Sequence, residues 1–552
     1  MKNVFEQMIV SLIAQNPQTK EDMNSIRTKL TSEHKIDQPP TRELLTAYQN
    51  LLKKKSIERN KNLETLLRKA DIRSTSGISV ITSLVKPYTC PGKCVYCPTE
   101  VRMPKSYIAT EPAAARALRL DFSPYEQMKQ RILMLERNGH ATDKIEYIIK
   151  GGTWNAYPLR YQYWFILESF RACNETKNSE SKNKDVLQLH ENSPLDELQK
   201  ALEKEQRKNE NSHHRIIGLT LETRPDAISP KTIFHMRQQG CTRIELGLQA
   251  PDDKILTLIQ RGHTVQQFRD AMKHLRYAGF KVDLHFMPDL PGTTPEHDVK
   301  MYQSLFSDPG LKPDMVKIYP NTVIKSAELY QWFLDGRYKP YGDEALFQAL
   351  LEMKKATPRY CRISRLIRDI PATEIEAGNI VTNLREMLSA RMKQQGEVCV
   401  CLRCREISRQ KDFIPAETVP QLFVDEYETL GGKEYFITFE DPKRIAVFGF
   451  LRLRIPEQEI PKDYALYKLM PELKDSAFIR ELHVYGDLVK IGKKNQLATQ
   501  HKGYGKRLMA HAEEIVKQHG FKKVIVISGV GVRGYYRKLG YRKIKSYMVK
   551  YL

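Results

Sequence analysis

The chain has 552 residues, of which 41% are hydrophobic, and a formal net charge of +23 at pH 7. Its apolar runs, such as residues 523–528, are only as long as a strand, which excludes a membrane-spanning protein, and the N-terminus lacks the apolar core of a signal peptide. The length allows three or four domains, and the charge favours a polyanionic partner such as nucleic acid over a general gain in solubility. Six of the nine cysteines lie in two tight clusters, which indicates metal ligation in a reducing cytoplasm.

Residues 1–75 predict a small basic helical region. Apolar residues recur there at spacings of three and four, as in a helix with one buried face. The repeating residues are Phe5, Met8, Ile9, Leu12 and Ile13, followed by Leu63, Leu66 and Leu67. The region could bind nucleic acid or could be a packing extension of the next domain, and the sequence leaves both interpretations open.

Three cysteines follow in the pattern C-x3-C-x2-C: Cys90, Cys94 and Cys97. Three thiolates at this spacing can hold three corners of a 4Fe–4S cluster and leave one iron open, whereas electron-transfer clusters use four cysteines. The loop resembles that of the radical S-adenosylmethionine (SAM) enzymes, in which the cofactor itself binds the open iron. The alternative is three of four zinc ligands, although no fourth cysteine lies nearby.

From residue 76 to about residue 320, short apolar strands alternate with amphipathic helices. Connections of this length suit right-handed crossovers, so the pattern predicts a parallel barrel or partial barrel. The polar segment of residues 174–212 interrupts the pattern and is predicted to be a mobile insertion. The predicted strands are Ile78–Leu84, Ile145–Ile149, Ile216–Leu221, Arg243–Leu248, Lys281–Phe286 and Met315–Ile318.

Residues 321–420 are predicted to link this domain to the next one. The linker carries three closely spaced cysteines: Cys399, Cys401 and Cys404. Such spacing suggests a structural zinc clip between domains. Cys361 is one candidate for the fourth ligand, and three free thiols are the alternative.

A new pattern of strands begins at about residue 421 and continues to residue 552. The sequence Gln-x-x-Gly-x-Gly, from Gln500 to Gly505, precedes an amphipathic helix. Glycines there let backbone N–H groups approach a ligand, and the helix N-terminus adds positive potential. Together with residues 528–541, this loop resembles the Gcn5-related N-acetyltransferase (GNAT) fold, which binds the pyrophosphate of acetyl-CoA. The predicted class is therefore α/β: a basic helical region, a radical SAM partial TIM barrel and a GNAT domain.

The combination of these domains, from about Arg73 to the C-terminus, resembles the family of Elongator catalytic subunits in the single-chain form expected of bacteria and archaea. The matching stretches are residues 139–147, 221–226, 240–249, 285–291, 368–371, 383–386 and 480–486. The resemblance implies carboxymethylation of carbon 5 of the wobble uridine of tRNA, with acetyl-CoA and SAM as co-substrates. A radical generated from SAM would activate the acetyl methyl group, which is a poor nucleophile.

Four polar residues lie at or just beyond predicted strand ends: Glu222, Arg224, Glu245 and Gln249. Charged groups there are costly without partners, which favours contacts to cofactor or substrate over structural ion pairs. Gly151 and Gly152 end a strand at the C-terminal edge of the barrel, where ligands usually bind. By the resemblance, these glycines meet the methionine amino group of SAM.

The resemblance also assigns residues to acetyl-CoA. Lys144 would contact it from the radical SAM domain and act in catalysis, and Tyr536 would protonate the departing thiolate, whereas Tyr535 is expected in the core. The backbone of an edge strand would pair with the pantetheine arm, and the glycine loop would bind the pyrophosphate. These residues are Glu481, Leu482, His483 and Val484 in the strand, and Gln500, Gly503, Tyr504, Gly505 and Lys506 in the loop.

The implied partners are the anticodon stem-loop of tRNA and a protein that donates electrons, with no further Elongator subunit expected for a single-chain form. Lys69, Arg73 and Arg365 are predicted to contact tRNA, and the sequence leaves open whether the chain forms a homodimer. One alternative function is a protein lysine acetyltransferase with a structural cluster, which the charge of +23 disfavours because basic histone tails would be repelled. Another is a tRNA-binding platform without chemistry, which the intact cysteine and glycine loops disfavour.

Overall fold

The computed structural model describes residues 2–68, 77–175, 189–410, 413–415, 417–457, 460, 464–485 and 503–552. No helix within these residues is long and apolar enough to cross a membrane. The helices are α1 (Lys2–Gln15), α2 (Lys20–Glu33), α3 (Thr41–Lys53), α4 (Lys61–Leu66), α5 (Pro112–Arg119), α6 (Pro124–Arg137), α7 (Leu159–Asn174), α8 (Leu195–Asn209), α9 (Pro230–Gln238), α10 (Asp253–Leu258), α11 (Val265–Tyr277), α12 (Pro295–Ser307), α13 (Leu329–Leu334), α14 (Asp343–Ala356), α15 (Leu384–Gln394), α16 (Ile407–Gln410), α17 (Ala465–Leu469), α18 (Tyr504–Gln518) and α19 (Arg533–Arg537). The strands are β1 (Ser79–Leu84), β2 (Lys144–Lys150), β3 (Arg215–Thr223), β4 (Arg243–Gln249), β5 (Lys281–Phe286), β6 (Met315–Ile318), β7 (Thr322–Val323), β8 (Arg362–Arg365), β9 (Ala377–Gly378), β10 (Gln421–Thr429), β11 (Gly432–Glu440), β12 (Val447–Pro456), β13 (Ala477–Val484), β14 (Lys523–Val526), β15 (Arg542–Ile544) and β16 (Tyr547–Tyr551).

The first four helices form a small helical unit, as the apolar spacing predicts. Met8, Ile9 and Leu12 of α1 are fully buried in its core. Helix α2 begins at a capping box in which Thr19 and Asp22 each bind a backbone N–H of the other, which satisfies two free donors. The unit contacts the barrel at Gly139, whose carbonyl accepts a hydrogen bond from Nε of Arg68 at 3.3 Å.

The middle of the chain forms an open sheet of seven strands in the order β1-β2-β3-β4-β5-β6-β8. Every neighbouring pair in this sheet is parallel. The predicted partial barrel is therefore confirmed, and the six predicted strands agree with β1 to β6 within two residues at each end. Parallel strands need both faces covered, which is why these segments are predominantly apolar.

Two parts of the chain differ from the sequence prediction. Residues 321–420 are not a separate linker, because β8 hydrogen-bonds to β6 as the seventh strand of the barrel. The predicted mobile insertion contains α8, where Leu198 and Leu202 are buried and the helix packs against α7. The rest of that segment, residues 176–188, lies outside the described residues.

The C-terminal part forms a mixed sheet in the order β10-β11-β12-β13-β14-β16-β15. Its pairs are antiparallel except for β13 and β14, which pair only between Ala477–Ile479 and Val524–Val526. Within the described residues, the stretch Arg480–Val484 therefore has no strand partner on that side. This stretch, Arg480–Val484, is the splayed half of β13, and it leaves backbone N–H and C=O groups available to an extended ligand.

The barrel and the second sheet are joined by a buried set of charges. Arg480 of β13 donates to Asp314, just before β6, with Nη1–Oδ2 and Nη2–Oδ1 distances of 2.8 and 2.5 Å. In return, Arg276 of α11 donates to Glu434 of β11 at 2.8 Å. These four side chains are at most 1% exposed. Since Arg480 also donates to Glu434 at 2.9 Å, the two domains share one network.

We expect Asp314→Asn to lower the stability of the assembled chain. Burial alone would raise the pKa of Asp314, but the charge of Arg480, followed by those of Arg276 and Arg452, holds that pKa below its ordinary value. Removing the carboxylate charge leaves buried arginines uncompensated, which costs about 3–5 kcal/mol. Scanning calorimetry should show a clearly lower melting temperature.

The exposed pair of Asp335 and Arg337 offers a matched control, since Asp335→Asn removes the same charge in solvent. Equal melting temperatures for the two variants would contradict the assignment.

The stability of the wild-type chain should also depend on pH. Because the folded pKa of Asp314 lies below the unfolded value of about 3.9, its contribution is present above about pH 4 and is lost as the pH falls below that value.

Candidate active site

A cavity of about 850 Å³ runs through the partial barrel. At one end it is lined by residues that follow the carboxyl ends of the strands, including Cys90, Cys97 and Arg224. At the other end it is lined by Glu481 and His483 of β13, which belongs to the second domain. One cavity thus connects the cysteine loop with the splayed edge of the second sheet.

The cysteine loop lies against two buried arginines. Nη1 of Arg261 lies 3.4 Å from Sγ of Cys94, and Nη1 of Arg224 lies 4.0 Å from the same sulfur. The pKa of Cys94 is lowered to about 4, first because the thiol of Cys97 donates a hydrogen bond to it and then because both guanidinium groups are positively charged. Thiolates are the form that binds iron or zinc, so this environment fits the predicted cluster with Cys90, Cys94 and Cys97 as ligands.

Gly151 and Gly152 form a tight turn directly after β2, on the way to α7. Their φ angles are +139° and +85°, which glycine adopts without strain. A Cβ on Gly151 would lie 2.0 Å from Cγ2 of Val85, so no side chain fits there. The next residue, Thr153, has its Oγ1 3.7 Å from Sγ of Cys90, which brings the predicted glycine turn next to the first cysteine.

Five ionisable side chains meet in the interior of the barrel: Lys150, Glu222, Glu245, His285 and Lys317. Glu245 contacts both lysines, and its Oε2 lies 3.3 Å from Nε2 of His285. Glu222 lies 3.7 Å from Lys150. Burial alone would raise the pKa of Glu222, but the charges of Lys150, His285 and Lys317 hold that pKa at about 2. Glu222 is therefore an anion at neutral pH.

The sequence predicts Glu222 and Glu245 as site residues but misses the basic partners Lys150, His285 and Lys317. Each of these partners is part of a predominantly apolar strand, β2, β5 or β6. A charged residue in such a strand is costly without a partner, and this is the signal that could have identified them.

The predicted residues Arg224 and Gln249 also line this cavity. Arg224 is held by Asp226, with Nε–Oδ1 at 2.9 Å, and by the carbonyl of Arg261 at 2.7 Å. Among the described residues, Oε1 of Gln249 and Oε1 of Glu245 are buried and accept no hydrogen bond. Buried acceptors without donors at a cavity wall are suited to a polar ligand such as SAM.

At the far end of the cavity, Glu481 and His483 project from β13. Glu481 pairs with Arg452 at 2.9 Å and with Lys281 at 3.2 Å. Burial alone would raise the pKa of Glu481, but the charges of Lys281 and Arg452 hold that pKa at about 2. Burial lowers the pKa of His483 to about 4, so its imidazole is neutral at pH 7. The sequence assigns only the backbone of this stretch, whereas these two side chains line the barrel cavity.

The predicted glycine loop lies at the N-terminus of α18. Gly503 is the N-cap, with a left-handed φ of +78°. A Cβ on Gly505 would lie 3.7 Å from Cγ2 of Val484, so the loop is adjacent to the splayed end of β13. The two predicted parts of an acetyl-CoA site are thus neighbours, although Gln500 lies outside the described residues.

Two residues of this predicted site turn their side chains to the core instead. Tyr504 is buried, and its ring packs against Phe439 with the centroids 4.8 Å apart. Leu482 is half-buried and packs against the core of the second domain. Only their backbone groups could contact a ligand at the loop or strand edge, whereas the side chain of Lys506 is exposed.

The two tyrosines of α19 differ in exposure, and one of them differs from the prediction. Tyr535 is not in the core, since it is 36% exposed and its hydroxyl lies 2.7 Å from the position of a Cβ on Gly505. Tyr536 is 6% exposed and packs against Tyr541. Burial, followed by the neighbouring Tyr535 and the charge of Glu481, raises the pKa of Tyr536. Tyr536 is therefore a neutral phenol near the splayed strand.

Lys144 is the first residue of β2, at the opposite end of that strand from Lys150. It is half-buried, burial lowers its pKa, and it does not line the barrel cavity. Its register partner on β3 is Arg215. A Cβ on Gly531 of the second domain would lie 2.6 Å from Cβ of Arg215. Lys144 therefore lies close to the junction of the two domains.

The second cysteine cluster lies in the chain between α15 and α16. The Sγ atoms of Cys399, Cys401 and Cys404 all lie within 4.8 Å of one another. Tetrahedral ligands 2.3 Å from zinc are about 3.8 Å apart, so the group fits three of four ligands. Cys361 is not part of this compact group, and the described residues bring no fourth cysteine to it.

Three protein-family profiles match the chain. They describe the radical SAM superfamily over residues 84–305, the radical SAM C-terminal domain over residues 313–394, and the acetyltransferase (GNAT) family over residues 405–541. Their order agrees with the parallel barrel and the second sheet. The match over residues 313–394 also agrees with the membership of β8 in the barrel domain.

Proteins of similar sequence cover nearly the whole chain. It is 41% identical to a tRNA uridine(34) acetyltransferase of Methanocaldococcus jannaschii, over 90% of this chain and 88% of the relative. It is 34% identical to Elongator complex protein 3 of Homo sapiens, over 99% and 96%. A solved structure of archaeal Methanocaldococcus infernus Elp3, with residues 1–46 deleted, is similar with a TM-score of 0.71 at 37% identity, over 86% of this chain and 100% of that chain. The chain therefore belongs to the family of the tRNA uridine(34) acetyltransferases and Elongator complex protein 3.

Proposed function

We propose that this protein modifies tRNA by transferring a carboxymethyl group, derived from acetyl-CoA, to carbon 5 of the wobble uridine in a SAM-dependent reaction. The relatives named for uridine 34 of tRNA support the substrate, and the two matched domains support the cofactors. The observation that carries the proposal is the cavity shared by the cysteine loop and β13. A group bound by one domain can be activated in the other only if such a connection exists.

In the barrel, Cys90, Cys94 and Cys97 would hold a 4Fe–4S cluster, and the residues around the glycine turn would bind SAM. When bound, these groups supply the reductive cleavage of SAM and the radical chemistry of the reaction. The chain's own part is electrostatic: Arg261 and Arg224 stabilise thiolate charge, and the barrel wall excludes water. The residues proposed to contact SAM are Gly151, Gly152, Glu222, Arg224, Glu245 and Gln249.

In the second domain, the splayed edge of β13 and the glycine loop would bind acetyl-CoA together. The backbone of residues 481–484 would pair with the pantetheine arm, and backbone N–H groups at Gly503–Lys506 would bind the pyrophosphate at the start of α18. Tyr536, a neutral phenol near Glu481, would protonate the departing thiolate. Lys144 would contact acetyl-CoA from the barrel side of the domain junction.

The tRNA would dock across the basic N-terminal unit and the barrel. A cleft of about 500 Å³ in the N-terminal unit, bordered by Asn138 at the end of α6, is lined by four basic residues: Lys20, Arg27, Arg42 and Arg68. Such a cleft suits the phosphates of an anticodon stem-loop. Arg365 lines the barrel cavity and would meet the nucleotide there, whereas Lys69 and Arg73 lie outside the described residues. The reaction also needs an electron-donor protein. We propose that the modifying protein itself acts in the cytoplasm.

Zinc is proposed for the group of Cys399, Cys401 and Cys404. The support is the close approach of three sulfur atoms, as expected of three ligands around one zinc ion. The amine of Lys354 is fully buried, and the carbonyl of the same residue accepts a hydrogen bond from the thiol of Cys399 at 3.5 Å. A positive charge there would offset part of the negative charge of a zinc–thiolate site.

Cys97→Ala should abolish formation of 5-carboxymethyluridine, because two thiolates cannot hold the cluster. The assay is anaerobic: reconstituted protein, acetyl-CoA, SAM, a reductant and unmodified bulk tRNA, followed by digestion and mass spectrometry. Cys173→Ala is the matched control, since Cys173 is a buried cysteine of α7 outside both clusters. Product from Cys97→Ala would overturn the proposal, and acetyl transfer to a peptide without SAM would favour the lysine acetyltransferase.

Tyr536→Phe should slow tRNA-dependent release of CoA from acetyl-CoA by about 10²- to 10⁴-fold, the usual contribution of a general acid. Release is followed by a thiol reagent. Tyr535→Phe removes the same hydroxyl from the adjacent residue and should leave most of the rate. The opposite result would transfer the role to Tyr535, whose hydroxyl lies next to Gly505.

Cys401→Ser should lose about one zinc ion per chain, because a hydroxyl is a poor substitute for a thiolate ligand. Elemental analysis of the purified full-length chain measures the metal. Cys173→Ala again serves as the control and should keep the wild-type content. The same zinc content in all three proteins would leave these cysteines as free thiols.

A further inference from the structure

A third group of ligating side chains lies away from both cysteine clusters, where the start of β3 meets the end of α6. Glu136, His213 and His214 each offer one ligand atom, and these atoms all lie within 4.8 Å of one another. None of the three lines the barrel cavity. The proposed reaction makes no use of them.

The backbone brings the two neighbouring histidines to the same side. In an extended strand, successive side chains point to opposite faces, but residues 212–214 form bends just before β3 begins. The two imidazole rings therefore meet, with their centroids 4.6 Å apart and an angle of 81° between the planes. Glu136, in the last turn of α6, has Oε1 3.8 Å from Nε2 of His214.

A second layer of hydrogen bonds orients two of these three side chains. The hydroxyl of Thr142 donates to Oε1 of Glu136 at 3.1 Å. Nδ1 of His214 lies 3.2 Å from the carbonyl oxygen of Thr142 and 3.0 Å from its hydroxyl. When Nδ1 carries the proton and donates it to this carbonyl, the lone pair of Nε2 faces the carboxylate of Glu136. Metal-binding histidines are commonly fixed in this way by a backbone carbonyl.

A cation placed among the three ligand atoms would be within reach of all of them. We propose that Glu136, His213 and His214 bind a divalent transition-metal ion, with zinc as the ion that this donor set fits. Two imidazole nitrogens and one carboxylate oxygen are a known zinc donor set, and the described residues add no fourth ligand to the group. Water would complete the coordination.

The ion would stabilise a corner where three parts of the molecule meet. Gly139, three residues after Glu136, accepts the hydrogen bond from Arg68 of the N-terminal unit. Arg215, directly after His214, lies against Gly531 of the second domain. A metal bound by both α6 and the residues before β3 would therefore stabilise both neighbouring contacts. Zinc should then raise the melting temperature of the chain.

The test counts zinc in the full-length chain after dialysis against zinc chloride and gel filtration. His213→Ala should hold about one zinc ion fewer than the wild type, because it removes one ligand of this site and leaves both cysteine groups intact. His213 is exposed, so its removal should not unfold the chain, and circular dichroism without metal checks this. His297→Ala is the matched control: its ring faces Asp252 at 3.3 Å, on another part of the surface, and its zinc content should stay at the wild-type value.

Two further variants separate a built site from a surface histidine that binds zinc loosely. Glu136→Gln should lose the same ion as His213→Ala, because its amide can still accept the hydrogen bond from Thr142 but binds zinc poorly. Thr142→Val keeps all three ligands and should weaken zinc binding by about 10- to 100-fold, as measured by competition with a coloured chelator. Equal zinc content in the wild type, His213→Ala and Glu136→Gln would overturn the proposal. Unchanged affinity in Thr142→Val would overturn the orienting role of this hydroxyl.

Discussion

The buried ion pairs between the two domains determine how the domains pack against each other. Arg480 of the second sheet meets Asp314 of the barrel, and Arg276 of the barrel meets Glu434 of the second sheet, all without contact to solvent. A buried charge that loses its partner costs about 3–5 kcal/mol, so a displaced docking would separate several such pairs at once. The one arrangement that satisfies all of them brings β13 against the end of the barrel. The shared cavity is a consequence of that arrangement.

Inside the barrel the same rule operates at the proposed site. Lys150 and Lys317 reach the carboxylate of Glu245, and His285 lies between Glu245 and Glu222. So many ionisable groups in a parallel barrel would be costly if they served stability alone, because an apolar interior packs as well. They keep the site polar, and they leave acceptors such as Oε1 of Gln249 for a ligand.

Much of the fold follows from apolar spacing, and the exceptions have physical reasons. The strands β1 to β6 are predictable because both faces are covered and their residues are mostly apolar. The strand β8 is missed because its four residues, Arg-Ile-Ser-Arg, are mostly polar and their side chains reach the cavity or charged partners. The cysteine spacing and the glycines are enough to predict two ligand loops from the sequence, since their chemistry is local. Partners such as Lys317 or Arg261 come from distant strands and loops, and only the folded chain shows whose charge they meet.

The splayed half of β13 separates the surroundings of its backbone from those of two of its side chains. Its backbone edge faces the side where β14 no longer pairs, whereas the side chains of Glu481 and His483 line the barrel cavity. Glu481 and His483 thus belong to the barrel cavity by their side chains, while the backbone of the same stretch pairs, among the described strands, with β12 on one side only. Changes to these two side chains alter the lining and charge of the barrel cavity, whereas only a change of the backbone, such as a proline, removes an N–H group from the open edge. Substitution of Glu481 or His483 can thus change the wall of the barrel cavity while the backbone edge of the second sheet keeps its N–H and C=O groups.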